Sequence, residues 1–127
     1  MSSIQLTHEL RTFVKDRFSS ADQIQIVLLL LQDPGKSWTA SEVADRLNMA
    51  PESTAMRLFL LASAGLIAFE PSGVPRYRYA GTDGTTDRLL HELVPVFAGN
   101  AEEVLRILAA AEIDPIRTFA DAFKLKK

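Results

Sequence analysis

Three arginines and one serine are the residues of this 127-residue sequence whose types and spacing could bind a phosphate backbone. Arg76 and Arg78 are two positions apart in an alternating run of basic and aromatic residues, so on a β-strand both project from one face. Arg57 is the single basic residue in the stretch that begins at Pro51, and Ser53 accompanies it. Because guanidinium groups neutralise phosphates and donate hydrogen bonds to base edges, we predict DNA contacts from Ser53, Arg57, Arg76 and Arg78. The alternative for the Arg76 and Arg78 pair is a strand face that is simply solvated.

A second group of side chains points to a different kind of partner. Helical periodicity places one side of the stretch after Pro51 against the core, at Thr54, Leu58 and Leu61. The opposite side then carries three large apolar side chains, Met56, Phe59 and Leu60. Such side chains cannot neutralise phosphate and are costly to leave in water. They predict an interaction surface, buried beneath the C-terminal helices or against a partner chain.

The sequence offers no catalytic, metal or cofactor site. His8 and His91 are each followed by Glu, but neither has a second His four residues on, as a helical zinc site requires. There is no cysteine, and no serine lies in a Gly-x-Ser-x-Gly turn. Gly35-Lys36-Ser37 resembles the end of a phosphate-binding loop, but Leu30 stands where that motif needs glycine. We therefore expect neither an enzyme nor a bound cofactor.

Two helices joined by a short turn are predicted to position Ser53 and Arg57. Thr39 followed three residues later by Glu42 is typical of a capping box, so the first helix is expected to begin there. Residues 48–51 interrupt its apolar pattern, and Pro51 suits the first position of the second helix. That helix should run to about Ala64, with Gly65 in the left-handed position that follows a helix end.

A two-stranded hairpin is predicted to position Arg76 and Arg78. Residues 66–69 form its first strand, Pro71-Ser72-Gly73 its turn, and residues 76–79 the returning strand. Helix, turn, helix and hairpin in one unbroken run from Trp38 to Tyr79 is the order of a winged helix-turn-helix. The predicted fold class is therefore mainly α, with a small two-stranded β wing and flanking N- and C-terminal helices.

The run from Trp38-Thr39 through Asn48, with Leu58, Leu61 and the ending Ala64-Gly65-Leu66-Ile67, resembles bacterial winged-helix transcriptional regulators of the MarR/ArsR type. The resemblance covers about a third of the chain. It implies a regulator whose second motif helix lies in the DNA major groove. The outward residues of this chain depart from the family's usual Arg, Lys, Ser or Gln.

Helices are predicted on both sides of this run. On the N-terminal side, a helix capped by Thr7 precedes an almost wholly apolar helix, capped by Ser19 or Ser20, that should be buried on all sides. After a joint at residues 81–84, Thr85 or Thr86 caps a helix that Pro95 kinks or ends. Residues 101–111 and a helix from Asp114-Pro115 through Phe123 follow. The predicted organisation is one domain, residues 1–127, with a winged-helix core at about 20–80 and a helical appendage at about 85–127.

Charge and apolar content bound the function. A net charge of −2 gives no general attraction to nucleic acid, so DNA binding would rest on a local basic patch. The N-terminus lacks a signal-peptide pattern and the longest apolar run is far too short to span a bilayer, so we expect a cytoplasmic protein without a membrane partner. Aromatic and apolar residues of the terminal helices predict a homodimer: Phe13, Phe18, Leu93, Phe97, Phe119 and Phe123.

Three functional hypotheses follow. The first is a winged-helix regulator that binds double-stranded DNA. The second is a winged-helix module that binds another protein and not DNA, because the outer side of the second motif helix is apolar and poor in charge. The third is a regulator that senses a small molecule between wing and appendage.

Overall fold

A computed structural model describes residues 6–81 and 83–109. Its elements are α1 (His8–Arg17), α2 (Ala21–Gln32), β1 (Trp38–Thr39), α3 (Ala40–Leu47), α4 (Pro51–Ser63), β2 (Ala68–Glu70), β3 (Arg76–Arg78), α5 (Gly84–Gly99) and a further helix, α6, at residues 101–109. The chain divides into two compact units. The central unit is Asp22–Leu90, and the terminal unit combines the residues before Asp22 with those after Leu90. The predicted single domain with an appendage from residue 85 stays a prediction.

The helix-turn-helix of the central unit is confirmed by its caps. Thr39 Oγ1 accepts a hydrogen bond from the Glu42 backbone N–H, and the Glu42 carboxylate accepts one from the Thr39 N–H, which is the predicted capping box. Asn48 ends α3 in the left-handed conformation with φ 59°, which its short polar side chain tolerates. Pro51 opens α4 at the first helical turn, as predicted.

The end of α4 directs the chain into the wing. Gly65, with φ +82°, follows the C-cap Ala64. The Gly65 N–H donates to the Ala62 carbonyl at 3.0 Å, and the Leu66 N–H donates to the Leu61 carbonyl at 3.0 Å. These paired bonds form a Schellman motif, which satisfies carbonyls that a helix end otherwise leaves unpaired.

The wing has one strand more than the sequence predicted. Three antiparallel strands lie in the order β1-β3-β2, with Trp38 opposite Tyr77 on one side and Phe69 opposite Tyr77 on the other. The strand β1 is two residues long and directly precedes the cap of α3. The sheet therefore ties the hairpin to the start of the helix-turn-helix.

Buried apolar side chains fill both units. In the central unit α2 is buried on almost every side, as predicted, with Ile24, Ile26, Val27 and Leu30 fully enclosed. They join Val43, Leu58, Leu61 and Leu66 among the most buried side chains of this unit. In the terminal unit Thr7 caps α1 by accepting from the Leu10 N–H, as predicted, and Phe13 and Phe18 meet edge to face at 5.9 Å.

Three predictions about the outer helices need correction or lie outside the described residues. Neither Thr85 nor Thr86 caps α5, because the helix already begins at Gly84. Asp83 takes the capping role, since its carboxylate accepts from both the backbone N–H and the hydroxyl of Thr86. Pro95 does not end α5, which continues to Gly99. The helix predicted from Asp114 lies outside the described residues.

Four of the six residues on which the dimer prediction rests lie in the described part of the chain, and they are wholly or partly buried. Phe13, Phe18 and Leu93 are buried within the chain, and Phe97 is half-buried. Phe119 and Phe123 lie outside the described residues. These four residues therefore offer little free surface for a dimer contact, and the dimer itself stays a prediction. Among the described helices, none has the length and apolar character needed to cross a membrane.

Candidate nucleic-acid interface

The wing strand β3 presents its side chains as the sequence predicted. Arg76 and Arg78 lie on one face and remain partly exposed, with 42% and 40% of their side chains accessible. Tyr77 and Tyr79 are buried on the other side. The Tyr79 hydroxyl donates to the Asp87 carboxylate. Alternation along the strand therefore delivers two guanidinium groups to one surface, anchored by two tyrosines behind them.

Arg78 has an acidic partner on the neighbouring strand. Its Nε donates to Oε2 of Glu70, while Oε1 of the same carboxylate accepts from the Ser37 hydroxyl at 2.7 Å. Glu70 pairs with Arg76 in the β2–β3 register, so Arg78 lies diagonally across from it, within reach of long side chains. The Ser37 hydrogen bond and then the Arg78 contact lower the pKa of Glu70 below its ordinary value, because both favour the charged form.

Arg76 also lies between acceptors. Its Nη1 is 3.9 Å from Oε1 of Glu42 and donates to the Ser37 backbone carbonyl at 3.4 Å. The pKa of Glu42 is lowered, first by the Thr39 backbone hydrogen bond of the capping box and further by the charges of Arg76 and Lys36. The wing arginines thus face two ionised carboxylates that the same unit supplies.

A third basic side chain lies near this network. The ammonium group of Lys36 is 3.9 Å from the centre of the Trp38 ring, in cation–π contact, and Trp38 is buried in β1. Lys36 is itself exposed. The sequence indicates Lys36 only as part of a segment that resembles a phosphate-binding loop, and does not place it on a basic surface.

Arg57 on α4 contacts two other residues of the central unit. Its Nε is 3.6 Å from Oδ2 of Asp22, and its Nη1 donates to the Ser53 carbonyl at 3.5 Å. The side chain is 30% exposed, and its Nε is buried without a hydrogen-bond partner. Ser53 is exposed, and its hydroxyl donates to the Ala50 carbonyl at 3.2 Å. The four predicted DNA contacts are therefore brought together as two pairs, one on α4 and one on β3.

The outward side of α4 is apolar and open. Met56 is 59% exposed, Phe59 58% and Leu60 47%, whereas the inward-facing Thr54 and Leu58 are fully buried. The helices in the described part of the chain therefore leave these three side chains open, and their burial beneath the remaining C-terminal residues or against a partner stays a prediction. In a major groove such side chains can contact thymine methyl groups but add nothing against phosphate.

The apolar surface continues from α4 onto the wing. An open groove is lined by Phe59, Ala62 and Ser63 of the helix and by Phe69 of β2. Phe69 is 48% exposed, although its ring lies 5.5 Å from that of the buried Tyr77. The helix face and the wing thus share one apolar surface.

Sequence reasoning missed the acidic partners of all three arginines. A signal existed for Glu70, because counting back from Arg76 through the predicted turn places it on the facing strand. The contacts of Asp22 and Glu42 required knowledge of how distant segments pack. In the part of the chain that the structure describes, no group of three or more His, Asp or Glu side chains could hold a metal ion.

Comparisons with known proteins show which solved structures this fold is similar to. No family model matches the sequence, and no curated protein matches it. Among solved structures, HlyU from Vibrio cholerae is 14% identical, with a TM-score of 0.54 over 74% of this chain and 99% of that one. The YusO protein from Bacillus subtilis is 20% identical, with a TM-score of 0.53 over 93% and 82%.

A third solved structure is named by its fold. It is 26% identical, with a TM-score of 0.52 over 75% of this chain and 83% of that one. It is described as the homodimeric winged helix-turn-helix DNA-binding domain of Mb0332 from Mycobacterium bovis, a possible ArsR-family transcriptional regulator. This chain has a winged-helix fold. The winged helix here departs from the expected pattern in the apolar outer face of α4.

Proposed function

We propose that this protein is a winged-helix transcriptional regulator that binds double-stranded DNA as a homodimer. The observation that carries the proposal is the similarity to the Mycobacterium bovis domain, which is described as homodimeric and DNA-binding. The exposed α4 and the two partly exposed wing arginines support it, since a helix and a wing are the two parts of this fold that can reach DNA. The MarR/ArsR assignment belongs to this proposal.

A mobility-shift titration on genomic fragments, at low and moderate salt, tests DNA binding. Changing Arg76 and Arg78 together to Ala should weaken binding to all sequences and reduce the salt slope by about two, since each lost phosphate contact removes roughly one. The control changes Lys15 and Arg106 to Ala, which removes the same charge from the terminal unit. An equal loss in both variants, or no binding by the unmodified protein at low salt, would contradict the proposal.

The second candidate function is a module that binds protein through the outer face of α4. The observation in its favour is the exposure of Met56, Phe59 and Leu60, next to a groove that reaches Phe69. The same titration separates the candidates when Phe59→Ser is added and sedimentation is measured in parallel. Loss of self-association in Phe59→Ser, with no DNA binding by either form, would favour the protein-binding module.

A further inference from the structure

The charged face of the wing carries its own counter-ions. Arg76 and Arg78 supply two positive charges, and Glu42 and Glu70 supply two negative charges within ion-pair distance. A DNA phosphate that approaches this face therefore meets no net charge from these four side chains. Neutralisation of phosphate is the main source of nonspecific DNA affinity, so the carboxylates act directly on the property that a wing contributes.

Glu70 is the more firmly placed of the two carboxylates. Both of its oxygens are engaged, one by the Ser37 hydroxyl and the other by Nε of Arg78. Its backbone is fixed opposite Arg76 by the β2–β3 register. Glu42, by comparison, is 49% exposed and shares its Oε1 with the capping box at Thr39. Glu70 is thus held where a phosphate bound by Arg78 would have to displace it or lie beside it.

We propose that Glu70 is a built-in competitor of DNA phosphate on the wing and that it sets the affinity and salt sensitivity of DNA binding. The inference rests on the proposed DNA-binding function. A phosphate that takes Arg78 must either exchange with the Glu70 carboxylate or tolerate a second negative charge a few ångströms away. Both routes lower affinity, because like charges at short distance repel and the original ion pair is lost.

Glu70→Gln isolates the charge from the shape. The amide retains an oxygen that can accept from the Ser37 hydroxyl, but it no longer competes electrostatically for the guanidinium group. We expect Glu70→Gln to bind DNA more tightly than the unmodified protein, with a salt slope steeper by about one. One additional phosphate contact corresponds to roughly a 3.5-fold change in relative affinity between 50 and 200 mM salt.

Two further variants assign the gain to Arg78. In a protein that already carries Arg78→Ala, Glu70→Gln should give a much smaller gain, because the guanidinium group it would release is absent. Ser37→Ala removes the hydroxyl that holds Glu70 and should give a gain of the same sign but smaller. Glu102→Gln is the control for net charge, since this glutamate is 88% exposed in the terminal unit.

The outcomes separate the inference from the function beneath it. If the unmodified protein binds DNA and Glu70→Gln behaves like Glu102→Gln, the inference is wrong and the DNA-binding proposal stands. Weaker binding by Glu70→Gln would also overturn the inference, and would show that Glu70 positions Arg78 for the phosphate. If no form binds DNA at low salt, the proposed function fails and the inference falls with it.

Discussion

The charged face of the wing and the outer face of α4 lie on the same compact unit, yet they are built on opposite principles. On the wing, Arg76 and Arg78 are matched by Glu42 and Glu70, and the backbone and hydroxyl of Ser37 join the network. On α4, Phe59 and its apolar neighbours stay open to solvent. On the wing, each arginine is paired with a carboxylate of the same unit. On the outer face of α4, the apolar side chains are exposed and have no such covering from the described residues.

This difference determines which conditions each surface responds to. Contacts between charged groups weaken as salt rises and disappear when a carboxylate is protonated. The free energy gained by burying apolar surface comes from removing nonpolar area from water. It therefore does not require charged groups and is not lost when a carboxylate is protonated. A partner that uses the wing should therefore be sensitive to salt, and a partner that uses α4 should not.

The largest expected effect separates the two sides of α4. Leu58 is fully buried and Phe59 is 58% exposed, although they are adjacent in sequence. Leu58→Ala should lower the free energy of unfolding by about 2 to 5 kcal/mol, because it removes a packed side chain and leaves a cavity. Phe59→Ala should change it by about 0.5 kcal/mol or less, as at ordinary surface positions.

Denaturant melts at several protein concentrations would test this contrast. A cost for Phe59→Ala that rises with concentration would show that a second copy covers the outer face of α4, since association stabilises the folded form by mass action. A large cost that does not depend on concentration would mean that Phe59 is covered within its own chain. That result would contradict the exposure of Phe59 in the structure.

Local signals explain why the scaffold could be predicted. The capping box of Thr39 and Glu42, the proline that opens α4 and the glycine that ends it each depend on residues within a few positions. The prediction of the α5 cap was wrong although it also rested on neighbouring residues, because two threonines and Asp83 all suit an N-cap. The structure selects Asp83, whose carboxylate accepts two hydrogen bonds from Thr86.

Long-range partners explain why the candidate site could not be predicted in full. Alternation in the sequence placed Arg76 and Arg78 on one face correctly. It could not show that Ser37, 33 positions before Glu70, would hydrogen-bond to it. Nor could it show that Asp22 would pair with Arg57, since their proximity depends on how α2 and α4 pack. The chemistry of the arginines was readable from the sequence, and their neutralisation was not.

A smaller effect tests the joint between the two surfaces. Gly65 has φ +82° and connects α4 to the wing, and no atom lies within 4 Å of the position that a Cβ would take. Gly65→Ala should lower the free energy of unfolding by about 1 to 2 kcal/mol from backbone strain alone, because residues with a Cβ disfavour this conformation. Gly73 in the wing turn has equal space and no positive φ, so Gly73→Ala should be neutral or slightly stabilising. Equal costs for the two variants in thermal melts would contradict the strain argument.

The smallest expected effect is a pH dependence that the wing should show and the outer face of α4 should not. The Ser37 and Arg78 hydrogen bonds lower the pKa of Glu70 from its ordinary value of 4.5. A carboxylate with a lowered folded-state pKa contributes stability above its unfolded pKa and loses it as the pH falls through the folded value. The unmodified protein should therefore be more stable than Glu70→Gln at pH 7, and the difference should close below about pH 4.5.

The difference between the unmodified protein and Phe59→Ala should stay constant over the same range, since neither side chain titrates. Melts of the three proteins from pH 7 to about pH 3 would measure both differences. A Glu70→Gln difference that persists or grows in acid would show that the wing carboxylate does not stabilise the fold through its charge.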